Sequence, residues 1–377
     1  MKVPEHKVSV VIGGYEIRGW SEYSITTSIV EPADTFEMRL PFDRKAWNLL
    51  VPDKPIKIVC DGVTWLNGFL DESPLGEGEE ELQIRGRCRI GRLVDESAPS
   101  FRYNGLNLDK QIDQVVRPWF TKVTISNARN RRVLRGKGRK AIGGTEPLRV
   151  APRKDGLLVE PGQMRWSVIE ELCGQAGLLA TSAGDGTELV IFRPNYNQEI
   201  QYRFFMPAAG SKRAREGNTI AMAIERSTAQ RYSRILVVGS GRGTDSNYGP
   251  AVASRYGEAK NNSATPDGDG KDFSAPKRLV IQEPVQSIDE AKELAAREMS
   301  RRDGQGNGIR ITAAMHGQLV AGKQPTLFAC DTLAHVEDER TGTKGVYLIT
   351  ACTFKSTRQG GEQTQLELVP KGTDLAA

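Results

Sequence analysis

Apolar residues recur at every second position early in the chain: Val8, Val10 and Ile12, then, beyond Gly13-Gly14, Phe36, Met38 and Leu40. A period of two predicts strands with one buried face. The run from Ile56 to Val59 meets Asp61-Gly62, a pair that tolerates the positive φ of a tight hairpin, and Val63 to Leu70 returns. Leu82 and Ile84 then alternate with Gln83 and Arg85. About six short strands in roughly the first 95 residues predict a small antiparallel barrel or sandwich.

From Asn107 the period changes. Leu108, Ile112, Val115, Val116 and Trp119 make a helical stripe that Pro118 disturbs near its end, and a second helix holds Val168, Ile169, Leu172, Cys173 and Ala176, with Gly177 as its C-terminal stop. Strands resume at Ile220, Met222 and Ile224 and at Ile235 to Val238; these need partners, which the alternating run Ile309, Ile311, Ala313 can supply. Between them lie a polar stretch from Gly239 to Lys277 and a helix carrying Ile288, Ala291, Leu294, Ala295 and Met299. Ser287 is placed to cap that helix, with Asp289 and Glu290 at its positive end and Arg301 and Arg302 at its negative end. The chain closes on a strand in which Thr364, Leu366 and Leu368 alternate.

The expected class is mainly β with an α+β insertion. A first β-barrel spans 1–95, a discontinuous middle α+β domain takes 96–198 with 246–305, and a second β-barrel with a C-terminal tail takes 199–245 with 306–377. The helix after Ser287 is expected to dock on the middle domain.

The order of these pieces carries a resemblance. A helix rich in Ala, Glu and Arg is followed by Gly345-Val-Tyr-Leu-Ile-Thr350, and a Gly-Gly turn leads into Gly360-Gly-Glu-Gln-Thr-Gln-Leu-Glu-Leu-Val-Pro370. Earlier stand Gly91-Arg-Leu-Val-Asp-Glu-Ser97 and Pro161-Gly-Gln-Met-Arg-Trp166, the latter followed by a helix and a strand, Asp-Gly turn and strand from Leu178 to Phe192. In this order the segments resemble the baseplate hub proteins of contractile-tailed, Mu-like phages, the late-control D family. The segment from Gly317 to Pro325 departs from that pattern, lacking its Trp and Asn. The resemblance implies that both barrels are of tail-tube type and that the protein is a structural hub subunit. It implies a homotrimeric ring that joins a three-fold central spike to a six-fold tail tube and leaves a channel for the genome. The implied partners are the central spike, the tail tube protein, baseplate wedge and tape-measure proteins, and DNA passing through the channel. The implied location is the virion baseplate, after synthesis in a bacterial cytoplasm.

Composition adds limits. With 52 basic and 47 acidic residues the net charge is +5, so the whole molecule is not a polycation and any basic surface is local. No stretch approaches the roughly 20 apolar residues of a membrane helix, and none of signal-peptide type opens the chain. Five widely spaced cysteines in apolar contexts, Cys60, Cys88, Cys173, Cys330 and Cys352, read as buried thiols rather than disulfides.

One segment concentrates charge. Arg129, Arg131, Arg132, Arg135, Lys137, Arg139 and Lys140, continued by Arg149, Arg153 and Lys154, give ten basic residues against the single acid Glu146. Such density suits phosphates or an acidic protein surface, and it supports an alternative reading as a nucleic-acid-binding module. The absence of aromatic residues between Trp119 and Trp166 argues against single-strand stacking. A second alternative is a tail-associated cell-wall hydrolase. Pairs such as Asp71 and Glu72, or Glu170 and Glu171, are the carboxylates it would use, yet no GxSxG and no Cys-His-Asp pattern marks a nucleophile. Asp331 and His335, followed by Glu337, Asp338 and Glu339, read as a solvated strand end. The string from Val237 to Thr244 lacks the last glycine of a dinucleotide turn, and His6, His316 and His335 lack a second ligand at metal-binding spacing. No catalytic, cofactor or metal site is therefore expected.

Overall fold

The computed structural model describes residues 6–75, 80–100, 102–103, 107–126, 157–183, 186–239, 255–261, 277–283, 285, 287–318 and 326–376. Strand β1 (Val8–Ile12) turns through Gly13 and Gly14, at φ 55° and 83°, into β2 (Tyr15–Ile17). Next come β3 (Glu22–Ser28), β4 (Thr35–Pro41) and the short helix α1 (Arg44–Leu49), capped by the Asp43 carboxylate on the N–H groups of Lys45 and Ala46. Then β5 (Pro55–Cys60) and β6 (Val63–Glu72) flank Asp61 and Gly62, whose positive φ values of 49° and 79° make the predicted tight turn. β7 (Glu81–Cys88) ends this section. Phe36, Met38, Leu40, Leu82 and Ile84 point inward as their period requires. Gly86 is obligatory, because the Phe36 ring and the Phe69 carbonyl fill the place of a side chain there.

The middle section brings α2 (Ile90–Asp95), β8 (Arg102–Tyr103), α3 (Leu108–Val116), β9 (Lys122–Ser126), β10 (Leu157–Leu158), α4 (Arg165–Gln175), β11 (Leu179–Ser182) and β12 (Glu188–Phe192). Helix α3 buries Leu108, Ile112, Val115 and Val116 but stops short of Trp119: Pro118 disfavours a helical Arg117, which is extended at ψ 139°. Gly177, at φ 64°, ends α4; Leu178 N–H donates to the Cys173 carbonyl and Gly177 N–H to that of Gly174, a Schellman closure. β12 is central in a small sheet, antiparallel to β11 and parallel to β9. Buried Arg165 ties this section together, donating to the Arg117 carbonyl at 2.9 Å and to Glu96 at 3.0 Å. Arg92 lies 4.2 Å over the Phe69 ring and 5.6 Å from that of Trp119, which joins α2 to β6.

The rest of the chain runs through β13 (Ile200–Met206), β14 (Ala221–Ile224), β15 (Arg234–Gly239), β16 (Arg255–Lys260), β17 (Arg278–Gln282) and the long helix α5 (Ile288–Gly306). It finishes with β18 (Ile309–Ala313), β19 (Gly317–Gln318), β20 (Thr326–Leu327), β21 (Leu333–Asp338), β22 (Thr343–Thr357) and β23 (Gly361–Pro370). The fold is mainly β, as expected. The early and late strands, however, form one sheet, thirteen-stranded among the described residues, with the path β14-β18-β23-β22-β3-β4-β7-β6-β5-β1-β2, β21 also pairing with β22 and β13 with β21. Among the described residues neither strand set closes on itself as a barrel. In the early set the reason is that β3 pairs with β22 and not with β2.

Two compact units result: 1–222 with 310–368, and 223–309 with 369–377. In the second unit β15 pairs antiparallel with β16 and parallel with β17, so its partners are these two strands rather than those after Ile309. Helix α5, capped by the Ser287 hydroxyl on Glu290 N–H, covers this three-stranded sheet instead of the middle domain. Ile235, Val237, Val285, Ala291, Ala295 and Met299 are the core between them. Gly257 lets α5 lie directly on β16, since a side chain there would meet the backbone of Ala291 and Lys292. Among the described residues no helix is long and apolar enough to cross a membrane. All five cysteines are buried and in no disulfide.

Candidate functional site: the strand seam and its histidine network

The fifteen-residue β22, rich in β-branched and aromatic side chains, is long enough to pair twice. Its first half runs antiparallel to β21, and Ala351 to Ser356 pair with Ser28 to Tyr23 of β3. This second ladder is the seam where the first strands of the chain meet the last. Thr26 and Thr353 face each other across it with hydroxyl oxygens 3.1 Å apart.

At one end of the seam polar groups concentrate inside the protein. His316 is fully buried: its Nε2 lies 2.8 Å from the Tyr23 hydroxyl and its Nδ1 2.9 Å from Thr364 Oγ1. Thr364 donates its own hydrogen to the Met315 carbonyl, so Nδ1 of His316 carries the proton and Nε2 accepts from Tyr23. Trp65 stacks on Phe354 at 4.7 Å and meets the His316 ring edge-on at 6.0 Å. Outside this cluster His6 stacks on His316 at 5.6 Å and places Nδ1 2.7 Å from Asp61. The Asp61 carboxylate also accepts from Lys7 N–H, and Glu362 accepts from His6 N–H. The hairpin turn and the last strand thus hold the entry to β1.

The electrostatics suit a structural clasp. Burial, helped by the nearby His6, pushes His316 down to about 3, so the ring is neutral at physiological pH. Burial and then the Glu362 carboxylate push the Tyr23 hydroxyl up; burial and then Asp61 and Glu362 do the same to the Cys60 thiol, leaving it protonated and a poor nucleophile. Asp61 loses hydration, but hydrogen bonds from His6 and Lys7 outweigh this and hold it below the usual carboxylate range. His6, Cys60 and Asp61 each present a ligand atom within 4.8 Å of the others, a mixed set that sequence spacing concealed. Two of those atoms already bond to each other.

The carboxylates singled out in the sequence serve structural partners. Asp71 pairs with Arg87 at 2.7 Å and Glu72 with Arg85 at 3.7 Å. Glu170 accepts from the Trp166 indole at 2.6 Å, and Glu171 from Gln163 and Gln175. Buried Asp331 accepts from Asn195 N–H, and Glu337 binds Arg213 at 2.6 Å. Asp338, fully buried, is bonded by Arg340, which keeps its carboxyl below the usual range. The structure does not gather these groups around a cleft. The basic residues Arg129, Arg131, Arg132, Arg135, Lys137, Arg139 and Lys140 lie outside the described residues, as do 240–244 of the string from Val237 to Thr244. Tyr23, His316, Glu362 and Thr364 were missed because nothing local links positions so far apart in the chain.

Strand edges differ in their protection. On the outer side of β13, Gln318 Oε1 accepts from Arg203 N–H at 2.8 Å and its Nε2 donates to the Arg203 carbonyl. Asn218 likewise accepts from Phe205 N–H and donates to the Arg203 carbonyl. Two amide side chains therefore imitate a neighbouring strand and seal this edge. At the far end of the sheet β2 carries exposed Tyr15 on an edge that no further strand among the described residues covers.

Comparison with known proteins sets this geometry in context. Residues 7–88 match the family model described as Mu phage baseplate assembly protein GpP-like, N-terminal. No curated protein sequence matches the chain. Among solved structures, a tail protein from Neisseria meningitidis MC58 is similar over 99% of this chain and 98% of its own, with TM-score 0.74 and 21% identity. The 43 kDa tail protein of prophage MuSo2 from Shewanella oneidensis is similar over 99% and 100%, with TM-score 0.73 and 19% identity. An Escherichia coli type VI secretion component, described as structurally similar to T4 tail proteins gp27 and gp5, matches 98% of this chain and 78% of its own, at TM-score 0.50 and 8% identity. The resemblance read from the sequence stands: the first section matches the N-terminal domain model of a Mu phage baseplate protein, and the whole chain has a fold similar to that of phage tail proteins.

Proposed function

We propose that this chain, whose residues 7–88 match a GpP-like baseplate model, is a structural hub subunit of a contractile phage tail. Three copies form a ring that joins a three-fold central spike to the six-fold tail tube and leaves a channel for the genome. The observation that carries this reading is the match at residues 7–88 together with likeness to two tail proteins over nearly the full length of each. The seam gives it a physical basis: each chain contributes an early and a late strand set fused into one sheet, so three chains offer six sets to a six-fold tube. A fused sheet transmits load between the two sets through hydrogen bonds instead of a flexible linker.

In this role the protein does no bond chemistry. It holds the spike on one side and the first tube ring on the other, meets wedge and tape-measure proteins around them, and resides in the virion after synthesis in the host cytoplasm. The charge of the basic segment around Arg129 to Lys140 suits an acidic surface on a neighbouring subunit, a wedge protein or the channel. Solution mass by light scattering tests the oligomer. A mass near three times 41.5 kDa, alone or with the spike added, supports the reading. A monomer under both conditions overturns it.

A further inference from the structure

The seam holds a chemical feature that a load-bearing role does not by itself require. Cys352 lies on β22 opposite Thr27 of β3, and Cys330 lies in the segment between β20 and β21. The Cys330 thiol donates to the Thr27 carbonyl at 3.2 Å, and its sulfur is 3.8 Å from that of Cys352. Both residues are buried. The Cys330 segment is pinned against β22 by two backbone bonds, Asp331 N–H to the Ile349 carbonyl at 2.8 Å and Ile349 N–H to the Thr332 carbonyl at 2.9 Å. A disulfide needs sulfurs about 2 Å apart, so each thiol has only a short distance to travel.

We propose that Cys330 and Cys352 are a site of oxidative cross-linking that staples the β20–β21 segment to β22 at the seam. A peroxide is the oxidant. One thiolate attacks a peroxide oxygen, breaking the O–O bond and giving a sulfenic acid and hydroxide; the second thiolate attacks that sulfur, forms the S–S bond and expels hydroxide. The two thiol protons neutralise the two hydroxides, so two thiols and one hydrogen peroxide become one disulfide and two waters. The three other cysteines provide controls. That the reaction follows transfer from a reducing cytoplasm to an oxidising medium rests on the tail reading; the chemistry of the isolated chain does not.

The test is stoichiometric hydrogen peroxide on the folded full chain, followed by intact mass and non-reducing peptide mapping. Expected are the loss of two hydrogens, one peptide pair linking Cys330 to Cys352, reversal by dithiothreitol, and a thermal midpoint that rises on oxidation. Cys352→Ser abolishes both the link and the rise, whereas Cys60→Ser keeps both. The proposal is overturned if the two cysteines are oxidised separately to sulfinic acids, if links scatter among the five thiols, or if the pair joins only after unfolding in urea. A failed cross-link with a normal trimer would refute this proposal alone; a cross-link in a chain that never assembles would refute only the hub reading.

Discussion

The seam of the large sheet and the helix-covered sheet of the second unit both bury polar groups, but they satisfy them by different means. At the histidine end of the seam the network is neutral: Tyr23, His316 and Thr364 pass hydrogen bonds from one to the next. In the second unit they are charged. Arg231, only 4% exposed, binds Asp303 at 2.6 Å; Arg255 donates to the Val285 carbonyl; Glu298 receives Arg301 and Arg302. A neutral network costs little to bury and answers mainly to pH, whereas a buried charge depends on its partner being present. The larger sheet has apolar alternation to spare, while the small sheet leaves Val238, Tyr256 and Val280 exposed and relies more on its ionic ties.

Acid should separate the two regions most sharply. His316 titrates near 3 when folded and near 6.5 when free, so between these values the unfolded chain binds the extra proton and stability falls as pH falls. The contribution is fully present above about pH 6.5, and its loss by pH 3 amounts to roughly 4–5 kcal/mol. Denaturant unfolding followed by tryptophan fluorescence should show this slope, and His316→Gln should flatten it. Carboxylates held low, such as Asp61 and Asp338, add their losses only at more acid pH. A slope unchanged in the variant would remove the neutral-network account.

Arg231→Met probes the other region. Leaving Asp303 without its cation should cost about 3 kcal/mol, seen as faster hydrogen exchange in α5 and β15 with the seam strands unchanged. Equal loss in both regions would show that the units do not respond separately. Gly86→Ala should cost about 1–3 kcal/mol through overpacking against Phe36 and the Phe69 carbonyl, measured as a lower urea midpoint.

Local patterns were the legible part of the sequence. Asp61-Gly62, the Ser287 cap, Gly177 and the period of Phe36, Met38 and Leu40 each act through residues a few positions apart, and each appears where predicted. The seam was not legible, because Thr26 and Thr353 are 327 positions apart and their ladder is chosen by tertiary packing. The same holds for β15, whose apolar run fits any strand partner and finds β16 and β17. His316 reads as an ordinary polar residue after a strand; only the approach of Tyr23 and Thr364 makes its burial affordable.

The smallest effect on stability should have the clearest effect on association. Gln318→Ala removes one of the two amides sealing β13, at a cost of about 1 kcal/mol, but should promote concentration-dependent self-association in sedimentation. An unchanged sedimentation profile would mean that Asn218 suffices.

The most direct test of the hub account is electron microscopy of the purified chain assembled with its spike and tail tube protein. The account predicts end-on views of a three-fold ring with six strand-rich lobes around a central opening. A closed dimer, a filled centre, or no ring in the presence of both partners would contradict it.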